Sequence, residues 1–423
     1  MNSQLNIRVI SSIDDTEGWE YRNSNTKEFT HCLHAYPAMM IPQIPRRLLN
    51  YYVKSKEALL FDPYCGTGTS LVEALLFGIN CIGTDINPLA QLIACVKTTP
   101  IDPVIIKFQI DNFKEFIDKE SFILTSEQIN REFIDKWFKQ VTIDKLLHIK
   151  NYIDTIEIPA VKNFFKAAFS ETVRESSLTR NGEFKLLKIE KEKLADFNPN
   201  VYIIFFSKLN RNYFGLLDFL EIYNEHMNKP TATIYGFNTV NHIPKSIIDE
   251  GEIDIVITSP PYGDSHTTVA YGQYSRLSNE WLEVTHPETI DRRLMGGKKK
   301  SEVRRFNIDL LDYKILEINN IDEKRAAEVY SFYCDLNLSI INISNVIKPK
   351  GYACYVIGDR IVKGVKLPTH KAIIEFFEKN NFKHIDTFSR EIPNKRMPLR
   401  NSPSNIKGKT ESTMVNEYII VMK

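Results

Sequence analysis

The chain lacks the features that mark membrane, secreted or metal-bound proteins. Its six cysteines (Cys32, Cys65, Cys81, Cys95, Cys334 and Cys354) are scattered, and none forms a Cys-x-x-Cys pair. That scatter speaks against a zinc site or a disulfide framework and suits a reducing cytoplasm, so no metal is expected. No apolar run reaches the ~18 residues of a membrane span. Residues 1–12 are polar and have no apolar secretion-signal core. Neither sign of charge dominates, with 54 basic residues against 53 acidic. Any footprint for a polyanion must therefore be local. Two phosphate motifs are also missing. There is no Gly-x-x-x-x-Gly-Lys-Ser/Thr loop, and Gly66-Thr67-Gly68 is not completed to Gly-x-Gly-x-x-Gly. A phosphate-cradling loop is thus unsupported, and a nicotinamide cofactor is disfavoured.

Three strand ends carry the chemistry. Leu59, Leu60 and Phe61 read as a short buried strand, ended by Asp62 and Pro63. Cys65, Gly66, Gly68 and Thr69 follow as a tight turn, with Thr69 and Ser70 expected to cap the next helix. A second strand, 80–84, ends at Asp85, with Ile86 and Asn87 behind it. An acid about twenty residues after a glycine loop suits a ribose diol. Acidic strand ends also suit a cationic nucleoside. The third end is the most abrupt. Residues 253–257 are mostly branched and aliphatic, and then Thr258-Ser259-Pro260-Pro261-Tyr262 stops the strand. Two prolines fix φ and remove two donors, leaving a stiff loop with a hydroxyl, carbonyls and a ring. In open α/β sheets ligands bind at that edge.

The rest of the chain frames these ends. Residues 1–30 read as a loosely attached arm. Residues 31–99 and 229–423 read as the catalytic domain. Residues 100–228 do not follow a β-α-β pattern, and 103–119, 126–150, 158–174 and 199–227 look helical. They form a helical insertion, a candidate subdomain for gripping the substrate. Further strands are expected at 231–235, 352–358, 383–389 and 417–422. Alternating strands and helices predict an α/β, doubly wound, mostly parallel sheet. Residues 263–276 look too irregular for a core element. In that loop Asp264 and His266 are candidate supports for the site, though such residues are usually just solvated. Seven cations (Arg292, Arg293, Lys298, Lys299, Lys300, Arg304 and Arg305) then fall within sixteen residues around the flexible pair Gly296-Gly297. With Arg276, they are the expected phosphate contacts.

Residues 61–69, Phe-Asp-Pro-Tyr-Cys-Gly-Thr-Gly-Thr, resemble the cofactor motif of S-adenosylmethionine-dependent DNA amino-methyltransferases. Thr258-Ser259-Pro260-Pro261-Tyr262 resembles their catalytic motif, in the Ser-Pro-Pro-Tyr form most associated with N4-cytosine enzymes. Residues 34–38, with Tyr36 and Pro37, are similar to the segment that closes over the donor's methionine end. Lys348-Pro349-Lys350-Gly351 resembles the turn before the fifth strand. The resemblance covers 31–90 and 230–360 but not 100–228. It implies a Rossmann-like methyltransferase sheet, S-adenosylmethionine as cofactor and double-stranded DNA as partner. It also allows a cognate restriction endonuclease as a partner. Base flipping follows, because the target amine is otherwise held in pairing. Tyr262 is expected to stack on the flipped base, while Ser259 and the Pro260 carbonyl accept from its amine. One departure stands out: the third strand runs out near Asn238, where an acid often contacts adenine. The chain also has no Pro-Cys dipeptide, which disfavours a carbon-5 cytosine enzyme. The rival readings are N6-adenine DNA methylation, amino methylation of RNA, and a non-catalytic nucleic-acid-binding module.

Overall fold

The computed structural model describes residues 18–118, 129–180, 182–264, 268–300, 302–392, 400–401, 411–412 and 416–423. Seven strands make one sheet: β1 (Leu59–Asp62), β2 (Asn80–Thr84), β3 (Ala232–Tyr235), β4 (Ile253–Thr258), β5 (Ile347–Gly358), β6 (His384–Glu391) and β7 (Asn416–Met422). Their order is β3-β2-β1-β4-β5-β7-β6. The first five are parallel, and β7 runs antiparallel to both β5 and β6. The order reverses between β1 and β4, so the crevice of an open α/β sheet opens beyond their carboxyl ends. The glycine loop and the Ser-Pro-Pro-Tyr loop leave from these two strands.

Side chains alternate between the two faces of the sheet. Leu60, Ile255, Ile257, Cys354, Val356, Ile419 and Val421 join one core. That core includes α1 (Gln43–Tyr52), α2 (Thr69–Phe77) and α3 (Pro88–Thr98). It continues into the insertion helices α4 (Pro103–Ile117), α5 (Gln140–Thr155), α6 (Pro159–Ser176) and α7 (Val201–Tyr223), where Phe113, Phe164, Phe165, Phe169, Phe205 and Phe219 are buried together. It also takes in α8 (Tyr271–Trp281). Phe61, Val256, Ala353, Tyr355, Ile357, Ile420 and Met422 face the other way. There they meet α9 (Asp309–Ile321), α10 (Glu323–Val346) and α11 (Thr369–Glu378).

Several expectations need correction. Residues 271–281 are a core helix rather than an irregular loop. Tyr274, Leu277, Ser278 and Trp281 repeat at helical spacing and are buried. Their serines hide the period from a hydropathy reading, yet the Ser278 hydroxyl donates to the Ser170 carbonyl at 2.7 Å. Residues 1–17 of the arm lie outside the described residues, but 18–30 are anchored. Trp19 is buried against Phe388, and the Arg47 guanidinium sits 4.5 Å over its ring. β5 starts at Ile347, not at 352, and carries Lys350 at φ 69°. Its pairing to β4 shifts register there, so the expected turn lies within the strand. Gly296-Gly297 is no flexible hinge. A Cβ on Gly297 would stand 2.6 Å from the Asp291 carbonyl, and the Gly296 N–H donates to Asp335 at 2.9 Å.

Candidate active site

A cleft of about 670 Å³, including its open mouth, lies beyond β1 and β4. Its lining includes Asp62, Cys65, Gly66, Thr69, Asp85 and Asn87 on one side and Ser259 and Pro261 on the other. Tyr36 and Pro37 complete it from above, together with Met39, Met40, Tyr271 and Leu294.

The wall built from β1 and β2 is tightly bonded. Asp62 is 2% exposed and accepts from the Ser70 hydroxyl, from Tyr64 N–H at 3.1 Å and from Thr258 Oγ1 at 2.5 Å. Thus Ser70 ties down the strand-end acid instead of capping α2. Gly68, at φ 79°, takes the cap position itself, and Pro63 is buried behind the loop. Asp85 Oδ2 accepts from Gly66 N–H at 3.1 Å, and its Oδ1 from Asn87 N–H at 2.7 Å. Burial raises both carboxyls to about 6, against a usual 3.8. A cation or a hydroxyl pair entering the cleft would restore what burial takes away. Gly66 has a positive φ and no atom within 4 Å of where a Cβ would stand, so a ligand can approach its backbone. Burial also pushes the Cys65 thiol well up, leaving no thiolate in the cleft. Ile86 is half-buried and outside the lining.

Residues 34–40 form the roof. The Tyr36 ring stacks on Tyr271 at 6.0 Å, and its hydroxyl accepts from Asn87 Nδ2 at 2.9 Å. The same Nδ2 reaches Ser275 Oγ at 3.0 Å, so Asn87 joins the roof to α3 and α8. Behind them, His34 pairs with Ser170 at 3.0 Å, and burial drops its pKa to about 4. The sequence does not reveal the hub role of Asn87, although an Asn-Pro helix start is visible there. Tyr271 and Leu294 carry no readable signal.

On the other wall, Thr258 is buried and directed at Asp62, and Pro260 is buried outside the lining. Ser259 and Pro261 face the cleft. Tyr262 does not line it, because its hydroxyl donates to Glu417 of β7 at 2.8 Å. Asp264 is not a solvated loop residue. It is 1% exposed and is held by Arg360 at 2.9 Å and Arg325 at 3.3 Å. His266 lies outside the described residues.

Arg292, Arg293, Lys298, Lys299, Lys300, Arg304 and Arg305 are all exposed. They flank Leu294, which reaches the cleft. Arg276 differs from them. It pairs with Glu280 at 2.6 Å and lies 4.6 Å over the Phe133 ring, so its charge is matched internally. Among the described residues, no His, Cys, Asp and Glu group could hold a metal, and no helix is long and apolar enough to cross a membrane.

An open sheet with acidic strand ends and a Ser-Pro-Pro-Tyr loop meeting at one cleft fits a group-transfer enzyme of the Rossmann-like methyltransferase type. Comparison with known proteins narrows this class. The family model described as DNA methylase, covering the N6 and N4 amino-methyltransferases, matches residues 7–94. The type II methyltransferase M.MvaI of Kocuria varians is 42% identical over 432 residues, spanning 97% of this chain and 94% of that protein. The type II methyltransferase M.BsoBI of Geobacillus stearothermophilus is 22% identical over 288 residues, covering 61% of this chain and 55% of its own. A solved rRNA methyltransferase, aviRa of Streptomyces viridochromogenes, covers 92% of this chain and 88% of its own at 9% identity and a TM-score of 0.32, too weak a likeness to bear on function. The chain belongs to the type II DNA methyltransferases of the N6/N4 family. Its cofactor is S-adenosylmethionine and its substrate is DNA.

Proposed function

We propose that the protein methylates the exocyclic N4 amine of a cytosine flipped out of duplex DNA, at a defined site, in a restriction-modification or related defence system. The observation that carries this reading is the position of Ser259, which faces the same cleft as Asp62, Gly66 and Asp85. Asp85 would take the ribose hydroxyls of the donor, and the loop 65–69 its amino-acid end, beneath Tyr36 and Pro37. Bound there, S-adenosylmethionine supplies an electrophilic methyl group on a cationic sulfur. The chain's own task is positioning. Ser259 Oγ accepts one amine hydrogen from within the cleft, and the Pro260 carbonyl, outside the lining of the unliganded cleft, is the second acceptor once a base is bound, which turns the nitrogen lone pair toward the methyl. Fixed acceptors of this kind need no reorganisation as charge develops. Tyr262 lies at the edge of the base site. The exposed cations 292–293, 298–300 and 304–305 contact phosphates and hold the duplex against the cleft. A cognate restriction endonuclease is the partner whose site such methylation would protect.

The test is tritium transfer from labelled S-adenosylmethionine to duplex DNA of varied sequence, followed by nucleoside analysis. N4-methyl-2′-deoxycytidine is the expected product. N6-methyl-2′-deoxyadenosine as the sole product would replace cytosine by adenine, and no transfer to any DNA would remove the reading.

A further inference from the structure

The Ser-Pro-Pro-Tyr loop is connected to a carboxylate from the far end of the chain. Ser259 Oγ donates to the Tyr262 hydroxyl at 3.4 Å, and that hydroxyl donates to Glu417 Oε1 at 2.8 Å. Glu417 sits on β7, 155 residues away, with its other oxygen 3.5 Å from Arg390 Nη1. Arg390 is 3% exposed and Glu417 only 16%, so the pair is fixed within the sheet edge.

The direction of this chain of bonds follows from its last member. A carboxylate only accepts. The single phenolic hydrogen of Tyr262 therefore goes to Glu417, and the Tyr262 oxygen is left to accept. Ser259 has one hydrogen, and it points away from the cleft toward Tyr262. Both Ser259 lone pairs are then left to accept, which is the polarity an incoming amine requires. The Ser259–Tyr262 contact is long for two hydroxyls, and such contacts commonly tighten once the substrate is bound. Tyr262 stays protonated throughout, since burial and then Glu417 hold its hydroxyl well above the usual range.

We propose that Glu417 is a positioning residue for methyl transfer, acting through Tyr262 to keep the Ser259 hydroxyl an acceptor toward the target amine. The inference rests on the reading of Ser259 as the amine's acceptor. It assigns the phenol of Tyr262 a task separate from any stacking by its ring. In Glu417→Gln the side-chain amide can donate to the Tyr262 oxygen. The phenolic hydrogen then turns to Ser259, and the serine hydrogen turns into the cleft against the amine.

The experiment is a double-mutant cycle on the full chain with duplex DNA and S-adenosylmethionine. Glu417→Gln should lower kcat about 10- to 100-fold, with KM for donor and DNA within about twofold. Tyr262→Phe keeps the ring and removes the bridge, and should lower kcat about tenfold. The decisive measurement is the pair together. Once Tyr262 is Phe, Glu417→Gln should add nothing further, because a shared path makes the effects non-additive. Additive losses, a loss confined to KM, or wild-type kcat in Tyr262→Phe would each overturn the inference. If Glu417→Gln does not fold, Tyr262→Phe decides alone by its kcat. Ser259→Ala separates the two levels. If it is inactive, the transfer reading stands whatever the cycle shows, whereas wild-type kcat in Ser259→Ala would remove the reading and the inference together.

Discussion

The two walls of the cleft are built in different ways. On the donor side, Asp62 is bonded to Tyr64 and to Ser70, eight residues on, and Asp85 to Asn87 and to Gly66, nineteen residues back. On the target side, Asp264 reaches Arg325 and Arg360, 61 and 96 residues away, and Tyr262 reaches Glu417 across 155. Apart from the Thr258 hydroxyl on Asp62, which comes from 196 residues away, these donor-wall bonds join residues near in sequence, while those of the target wall need the closed sheet. The contrast fits the tasks proposed for them. A donor that is the same in every turnover is served by a preformed site, and a target base that must be selected is served by a wall tied to several elements.

Four measurements put that contrast at risk. The largest effect is expected from Ser259→Ala, which should cut kcat about 10²- to 10³-fold, the usual scale for one fixed polar group at the reacting centre. Donor affinity by calorimetry should stay within about twofold, and loss of donor binding would mean the walls are not separable. Gly68→Ala tests the other side. It places a Cβ 3.1 Å from Ala94 Cβ at a left-handed φ of 79°. Strain of about 1–2 kcal/mol should weaken the donor about tenfold while DNA binding persists.

A pH series probes the same wall more gently. Because burial raises the folded pKa of Asp62 and Asp85 to about 6 from 3.8, the unliganded fold holds more protons than the unfolded chain between these values. Its stability from these groups therefore falls as pH rises from about 4 to about 6. Above 6 both are ionised and suit a cation, so donor affinity should rise several-fold from pH 5 to pH 7. S-adenosylhomocysteine, with a neutral sulfur, should show a smaller rise, and equal slopes for the two ligands would exclude a charge effect. The smallest change is expected from Lys298→Ala combined with Lys299→Ala. The slope of log affinity against log salt should drop by about 2 for DNA of any sequence, with donor affinity unchanged. An unchanged slope would place the phosphate contacts elsewhere.

Much of the donor wall is legible in the amino-acid sequence alone. A strand end, a proline, two glycines and an acid at the end of the next strand are neighbours in sequence because they are neighbours in space. The sheet class follows from alternating periods for the same reason. The exposed cations are also visible as a cluster, although Arg276 looks the same in sequence and is paired inward by Glu280, one helical turn along. Helix α8 escapes a hydropathy reading because its buried face is rich in serine, asparagine and tyrosine. Only packing against α6 shows the Ser278 hydroxyl paired with the Ser170 carbonyl and the Tyr274 carbonyl paired with Arg174.

Local sequence specifies two strand-end loops of opposed chemistry, one glycine-rich and acidic, one proline-stiffened with a hydroxyl. These properties reside in backbone conformations that a few adjacent residues impose. What stands behind each loop is settled by the closed sheet. Asn87 becomes the hub of the roof, Asp264 a buried anchor, and Glu417 the end of a hydrogen-bond chain from Ser259. Those pairings depend on strand order, above all on β7 lying between β5 and β6, and no local preference of the chain encodes which distant side chain arrives there.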